Sequence, residues 1–271
     1  MMARMSRTVV LVRGSGDVGS AVAVVLHRAG YGVAIHEVAA PAAPRRGMAF
    51  ADAVFDGAAS LDGVSARRID DLDALSAAVA AGGEIALSTA SLPEVLAALT
   101  PSVLVDARMR KRETPEPQLD LAPLTIGLGP NVVAGETMHL AIETQWGEQL
   151  GEVLEAGATR ELGGEPRSFE GHGRDRFVYA PATGLLRTTA SIAQEVRAGE
   201  VVATIGELEL RAPLGGILRG LTHDGVEVCE GAKVVEVDPR RDASKVLGIG
   251  ERPRRIGEGV LAAIERASAC A

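Results

Sequence analysis

The chain has 271 residues, 46% of them hydrophobic and 24% charged, with a formal net charge of -8 and 3% aromatic content. That length and apolar content argue against disorder and allow two buried cores. The acidity and the few aromatic rings argue against nucleic acid as a partner. Cys229 and Cys270 stand outside any metal-ligand or disulfide spacing, which suits a reducing compartment and implies no metal site. Cys229 falls in a strand of the repeat described below and is expected to be buried.

Thr8 to Val12 is a β-branched run that predicts a strand, too short for a signal peptide. Gly14-Ser15-Gly16-Asp17-Val18-Gly19 follows it and opens a helical segment from Val18 to Ala29. Gly30-Tyr31-Gly32 then leads to a second apolar run that closes at Glu37. This strand, glycine turn and helix satisfy G-x-G-x-x-G in the context its mechanism needs. The first glycine permits the turn, the second lets backbone approach a pyrophosphate, and the third packs helix on strand. Glu37 is placed to accept a ribose diol and to repel a 2′-phosphate. The same glycines also serve packing alone, and the Asp17 charge requires a cap role or an arginine neighbour.

Helices are predicted over Asp70–Ala81 and Leu92–Leu99, the second after Ser91 and with Pro93, and strands over Glu84–Ser88 and Val103–Asp106. Alternation of strand and helix implies a doubly wound, mostly parallel sheet. Arg108, Arg110, Lys111 and Arg112 follow the Val103–Asp106 strand. Ligands of parallel sheets gather at strand carboxyl ends, and arginine forks match phosphate oxygens, so a small phosphorylated ligand is expected there, with Arg45-Arg46 able to close on the same edge. A solvated basic loop is the alternative.

Residues 113–123 read as a proline-rich loop, followed by strand candidates Leu124–Leu128, Met138–Thr144 and Gln149–Glu155. Alternation places His139 and Glu143 on one face, close enough to share a proton or a metal ion. Together with Asp106 they are the catalytic candidates. A polar stretch runs from Gly157 to Arg176. Then Ala180-Pro181-Ala182-Thr183-Gly184-Leu185-Leu186-Arg187 returns 32 residues later as Ala212-Pro213-Leu214-Gly215-Gly216-Ile217-Leu218-Arg219. Two copies suggest one closed module with a pseudo-twofold, one copy in each layer, like biotinyl and lipoyl carrier domains. The junction Ile205–Arg211 has no lysine, so no covalent biotin or lipoate is expected. Arg254–Ala267 has helical spacing, with Ile256, Val260, Leu261 and Ile264 on one face.

The expected fold class is therefore α/β: a Rossmann-like mostly parallel sheet domain, an all-β biotinyl/lipoyl-like barrel-sandwich module and a C-terminal helix. The expected divisions are 1–112 (nucleotide-binding), 113–176 (β-rich middle), 177–240 (sandwich) and 241–271 (helix packing back). No apolar stretch is long enough to span a membrane, and a cytoplasmic protein is expected.

Several segments together carry a family resemblance: RGSGDVGS (Arg13 to Ser20), PRRGMAFADAVFDG (Pro44 to Gly57), VDARMRKRET (Val105 to Thr114), IGLGPNVVAGETMHLAIET (Ile126 to Thr144) and the repeated AP…G-[LI]-L-R. They resemble the selenium-dependent molybdenum hydroxylase accessory protein family, often called YqeB-type. Asn131 stands where that pattern has glycine. The resemblance implies an accessory or maturation protein of a xanthine dehydrogenase-type system, partnered by the hydroxylase or its maturation proteins. It would bind NAD, another nucleotide or a molybdopterin-type cofactor through Gly14, Ser15, Gly16, Asp17, Val18, Gly19 and Glu37, aided by Arg108, Lys111 and Arg112. The alternatives are an NAD-dependent oxidoreductase and a non-enzymatic adaptor with an empty glycine loop. A homo-oligomer is compatible with all three.

Overall fold

The computed structural model describes residues 7–110, 115–163 and 166–269. In chain order its first part comprises β1 (Val9–Arg13), α1 (Asp17–Arg28), β2 (Gly32–His36), α2 (Ala53–Asp56), β3 (Ala58–Leu61), β4 (Val64–Arg68), α3 (Leu72–Ala81), β5 (Ile85–Ser88), α4 (Leu92–Leu99), β6 (Val103–Asp106), β7 (Leu124–Leu128), β8 (Val133–Ala134), β9 (Leu140–Ile142), β10 (Val153–Leu154) and β11 (Gly157–Ala158). The second part comprises β12 (Phe177–Tyr179), β13 (Gly184–Arg187), β14 (Glu195–Val196), β15 (Val201–Ile205), β16 (Leu208–Arg211), β17 (Gly216–Leu221), β18 (Glu227–Val228) and β19 (Lys233–Asp238). It ends in α5 (Glu251–Ala269).

Alternation within β1 sets the two faces of the main sheet. Val10 and Val12 join Ile35, Val105 and Ile126 under α1 and α5, whose Ile256, Val260 and Ile264 are fully buried. Leu11 points the other way, with Ala34, Ala86 and Leu104, onto Leu75 and Val79 of α3 and Val95 and Leu99 of α4. Local signals fix the helix ends. The Asp71 side chain accepts from Ala74 N and Gly82 closes α3 in the left-handed region, while Ser91 and Glu94 form a capping box with Pro93.

The sheet order is β10-β9-β7-β6-β1-β2-β5-β4-β3, antiparallel at both edges where β3 meets β4 and β10 meets β9. The crossovers leave β1 in opposite directions, toward β2 on one side and β6 on the other, and this opens a crevice at the strand carboxyl ends. The predicted strands at Met138–Thr144 and Gln149–Glu155 shrink to β9 and β10. Gly147 and Gly151, at φ 146° and 87°, turn the chain away between them.

The expected fold class needs correction. The sheet is mixed, with the β3–β4 hairpin at one edge, and the repeat does not place one copy in each layer. Residues 177–238 form two antiparallel sheets, β12-β19-β17-β14 and β16-β15-β13-β18. β14 of the first copy pairs with β17 of the second, and β18 of the second with β13 of the first. Neither copy can close its core without the other, and the matched residues Leu186 and Leu218, Val196 and Val228, and Val202 and Val234 are all buried in it. Cys229 is also corrected: it lies just past β18 and is exposed.

α5 begins three residues earlier than Arg254 and lies along α1. A Cβ on Gly257 would stand 3.0 Å from Val25 Cγ2 and 3.3 Å from Ala21 O, so glycine permits that close packing. No helix among the described residues is long and apolar enough to cross a membrane.

Candidate ligand site at the glycine loop

The loop between β1 and α1 uses its three glycines differently. Gly14 has φ 105°, and a Cβ there would lie 3.2 Å from the backbone of Ala107 and Arg108. Gly19 is tighter, since its Cβ would fall 2.0 Å from Gly14 O. Both are required by the protein's own packing. Gly16 is not: its φ of -66° suits any residue, and a Cβ would meet nothing within 4 Å. The amides of Gly16 and Asp17 find no acceptor among the described residues, as the first turn of a helix leaves them.

Glu37, at the end of β2, binds the loop directly. Ser15 donates to its Oε2 from N at 2.7 Å and from Oγ at 2.9 Å, and Val38 N donates to Oε1 at 2.7 Å. Next to it Val38 is 58% exposed, an apolar surface at the strand end that no sequence pattern marked. Val18 is buried in the core and lines the fold rather than the opening. The Asp17 charge is met by an amide and by an arginine: Oδ1 accepts from Val18 N at 3.1 Å and Oδ2 from Arg45 Nη1 at 2.9 Å. Burial opposes that charge, but Arg45 outweighs it and holds the carboxyl below its ordinary range.

Arg45 also reaches the second module. Its Nε and Nη2 donate to Glu236 at 2.9 and 3.2 Å. Glu236 is wholly buried, and Arg176 and Lys233 donate to it as well. Despite burial, this ring of cations holds its carboxyl well below the usual range. Arg46 serves the same seam, donating to Asp52 and to Leu221 O.

The basic cluster after β6 is arranged differently from the expected phosphate cradle. Arg108 is committed to Asp106, with Nε 2.8 Å from Oδ1, and to Glu116 at 2.6 Å. Arg110 donates to Glu116 at 2.7 Å. Gln118 bridges Asp106 and Arg13. Asp106 is thereby held as a carboxylate: burial disfavours the charge, and Arg108 and Gln118 more than restore it. The sequence reading missed Glu116 and Gln118 because they lie in the proline-rich loop, where no periodicity points inward. Lys111 and Arg112 lie outside the described residues.

His139 and Glu143 are not brought together as a catalytic pair. β9 spans only Leu140–Ile142, so both fall beyond its ends. His139 Nδ1 is held by Thr125 N at 3.1 Å and lies 2.9 Å from Thr125 Oγ1. The Glu143 oxygens accept from the amides of Gln145 and Arg160. Among the described residues no group of three or more His, Cys, Asp or Glu side chains could hold a metal ion. Asn131 has φ 60°, a left-handed conformation that asparagine adopts more readily than most residues, which explains its use in place of glycine.

No protein-family model matches the sequence. The chain is 38% identical over 255 residues to the uncharacterized protein YqeB of Escherichia coli (strain K12). The match covers 94% of this chain and 47% of YqeB, so the chain spans about half the length of the curated relative it matches. Among solved structures it is similar to a succinylglutamate desuccinylase from Silicibacter sp. TM1040, with 13% identity, 86% and 85% of the two chains covered and a TM-score of 0.25. It is also similar to an aspartoacylase family protein from Mesorhizobium loti, with 11% identity, 87% and 86% covered and a TM-score of 0.26.

These comparisons correct two expectations. The Rossmann-like and carrier-type fold names give way to the architecture itself, which among the described residues is a mixed nine-stranded sheet, a two-stranded antiparallel sheet of β11 and β8, and two four-stranded antiparallel sheets; the two neighbours are named as a desuccinylase and an aspartoacylase family protein. Neither of these two neighbours is named as a molybdenum hydroxylase accessory protein or a dehydrogenase. The accessory role, its selenium dependence and the oxidoreductase alternative are withdrawn. At these TM-scores the neighbours' own activities stay with the neighbours.

Proposed function

We propose that this chain is a nucleotide-binding protein. The observation that carries the reading is Gly16, the one glycine of the loop that the fold does not itself require. Open space stands over it, and the unpartnered amides of Gly16 and Asp17 lie at the positive end of the α1 dipole. A phosphate group fits that position. Glu37, fixed against Ser15, supports a ribose diol, and the exposed Val38 beside it offers an apolar face for a base.

Isothermal titration with adenine and guanine nucleoside mono- and diphosphates tests the reading. Gly16→Leu is the decisive variant, because the backbone tolerates a side chain there while the side chain fills the opening. Binding by the wild type and loss of about tenfold or more in the variant, with unfolding unchanged, is the expected result. Failure of the wild type to bind any of these nucleotides contradicts it.

A further inference from the structure

Three arginines converge on one surface carboxylate at the crevice end of the main sheet. Arg13 closes β1, and its register partner Asp106 closes β6, so both stand where parallel sheets gather their ligands. Glu116, in the loop before β7, accepts from Arg108 Nη2 at 2.6 Å and from Arg110 Nη1 at 2.7 Å, and Arg13 Nη1 lies 3.5 Å from its Oε1. Between Arg108 and Arg110, Met109 has φ 54°, a left-handed turn that a long side chain adopts only at a cost.

The two carboxylates of this cluster differ in kind. The Asp106 side chain is 11% exposed, and it takes Arg108 in a two-pronged pair as well as the amide of Gln118. It is the fixed counter-charge. The Glu116 side chain is 41% exposed, and ion pairs that open to water hold weakly. Glu116 can leave the cluster while Asp106 stays.

Arg13 shows what Glu116 leaves undone. It is 8% exposed, and its Nε is buried with no hydrogen-bond partner among the described residues. Its Nη1 donates to the neutral amide oxygen of Gln118. A carboxylate has two oxygens, and here Arg108 takes one and Arg110 the other. A buried guanidinium that lacks a close anion is costly. A phosphate dianion brings a further oxygen and a further charge, which match the innermost arginine and balance the three cations against Asp106 and the ligand.

We infer that Arg13, Arg108 and Arg110 form a phosphate-binding site whose place is held in this structure by the chain's own Glu116, so that ligand binding and release of Glu116 are one exchange. The ligand class is inorganic phosphate or a phosphate monoester. The site uses none of Gly16, Asp17 or Glu37 and stands apart from the nucleotide reading. Because Glu116 competes from within the chain, apparent affinity is reduced to the fraction of molecules in which the cradle is open.

Titration calorimetry of the full chain with inorganic phosphate and with glycerol phosphate, at an ionic strength fixed with chloride, tests the exchange. The tighter of the two probes identifies whether the phosphate is free or carried on an organic group. Glu116→Gln removes the competing charge and is expected to bind phosphate about tenfold or more tighter than the wild type. Arg110 has a side chain 33% exposed, so Arg110→Gln removes one wall of the cradle without emptying the core. In the Glu116→Gln background it is expected to weaken binding about tenfold. Gly16→Leu in that background is expected to bind phosphate as Glu116→Gln does. Should Glu116→Gln prove less stable, melting temperature reads the same exchange, because phosphate is expected to raise it more in Glu116→Gln than in the wild type. Equal affinity in the wild type and Glu116→Gln, binding by neither, or a stabilisation that chloride gives equally overturns the inference. Phosphate binding lost in Gly16→Leu but kept in Arg110→Gln assigns the anion to the glycine loop, which overturns the cradle and leaves the nucleotide reading standing.

Discussion

Arg45 and Glu236 meet across the seam between the main sheet and the second module, with Nε 2.9 Å from a carboxylate that is wholly buried. Through Asp17, the same guanidinium reaches the first turn of α1. One side chain thus ties the glycine loop to a strand nearly two hundred residues away, consistent with its sequence separation of 191.

Removing Glu236 leaves Arg45, Arg176, Arg219 and Lys233 facing one another without their shared anion. Glu236→Ala is expected to cost about 3–5 kcal/mol, as breaking a buried ion pair does. Urea unfolding measures it. A loss below about 1 kcal/mol, the range of surface pairs, would show that the seam is not held by this carboxylate.

Acid should act on the same groups. Glu236, Asp17 and Asp106 all have carboxyl pKa values lowered by folding. Their unfolded counterparts titrate near about 4, so the unfolded chain binds protons first as pH falls. The stabilisation is fully present above about pH 5 and is lost progressively below about pH 4. Melting temperature measured from pH 7 to pH 3 is expected to hold level and then drop, with a shallower drop in Glu236→Gln.

The three loop glycines should respond unequally to alanine. Gly19→Ala forces a Cβ to within 2.0 Å of Gly14 O and is expected to destabilise strongly, by about 3 kcal/mol or more. Gly16→Ala meets open space at an ordinary φ and should stay within about 0.5 kcal/mol of wild type. Equal costs at the two positions, measured by chemical denaturation, would contradict their division into a packing glycine and an open one.

Cys229 is expected to react with a thiol reagent in the native state, since its position just past β18 leaves it exposed. Labelling a Cys270→Ser variant without denaturant isolates it. Modification only after unfolding would place it back in the core.

Much of the main sheet was legible because its signals are local. β1, α1, β5, α4 and β6 follow from β-branched runs, the Ser91 cap and the glycine turn. The β3–β4 hairpin was not legible, since Ala58–Arg68 mixes arginine with alanine and shows little alternation by polarity. The repeat revealed its period but not its strand exchange, because pairing β14 with β17 is a long-range choice no local pattern encodes. At the site, the glycines and Glu37 stood out by motif and Arg45 by its place after the second strand, whereas Glu236 did not. Its pairing with Arg45 spans 191 residues and comes from charges brought together by folding, which no local pattern encodes.

The central claim is that the space over Gly16 takes the phosphate of a nucleotide. Its most direct test is titration of the wild type and Gly16→Leu with the nucleoside diphosphates in parallel. Saturable binding to the wild type, weakened about tenfold or more in an equally stable Gly16→Leu, is the predicted result. Equal binding to both proteins, or to neither, would contradict it.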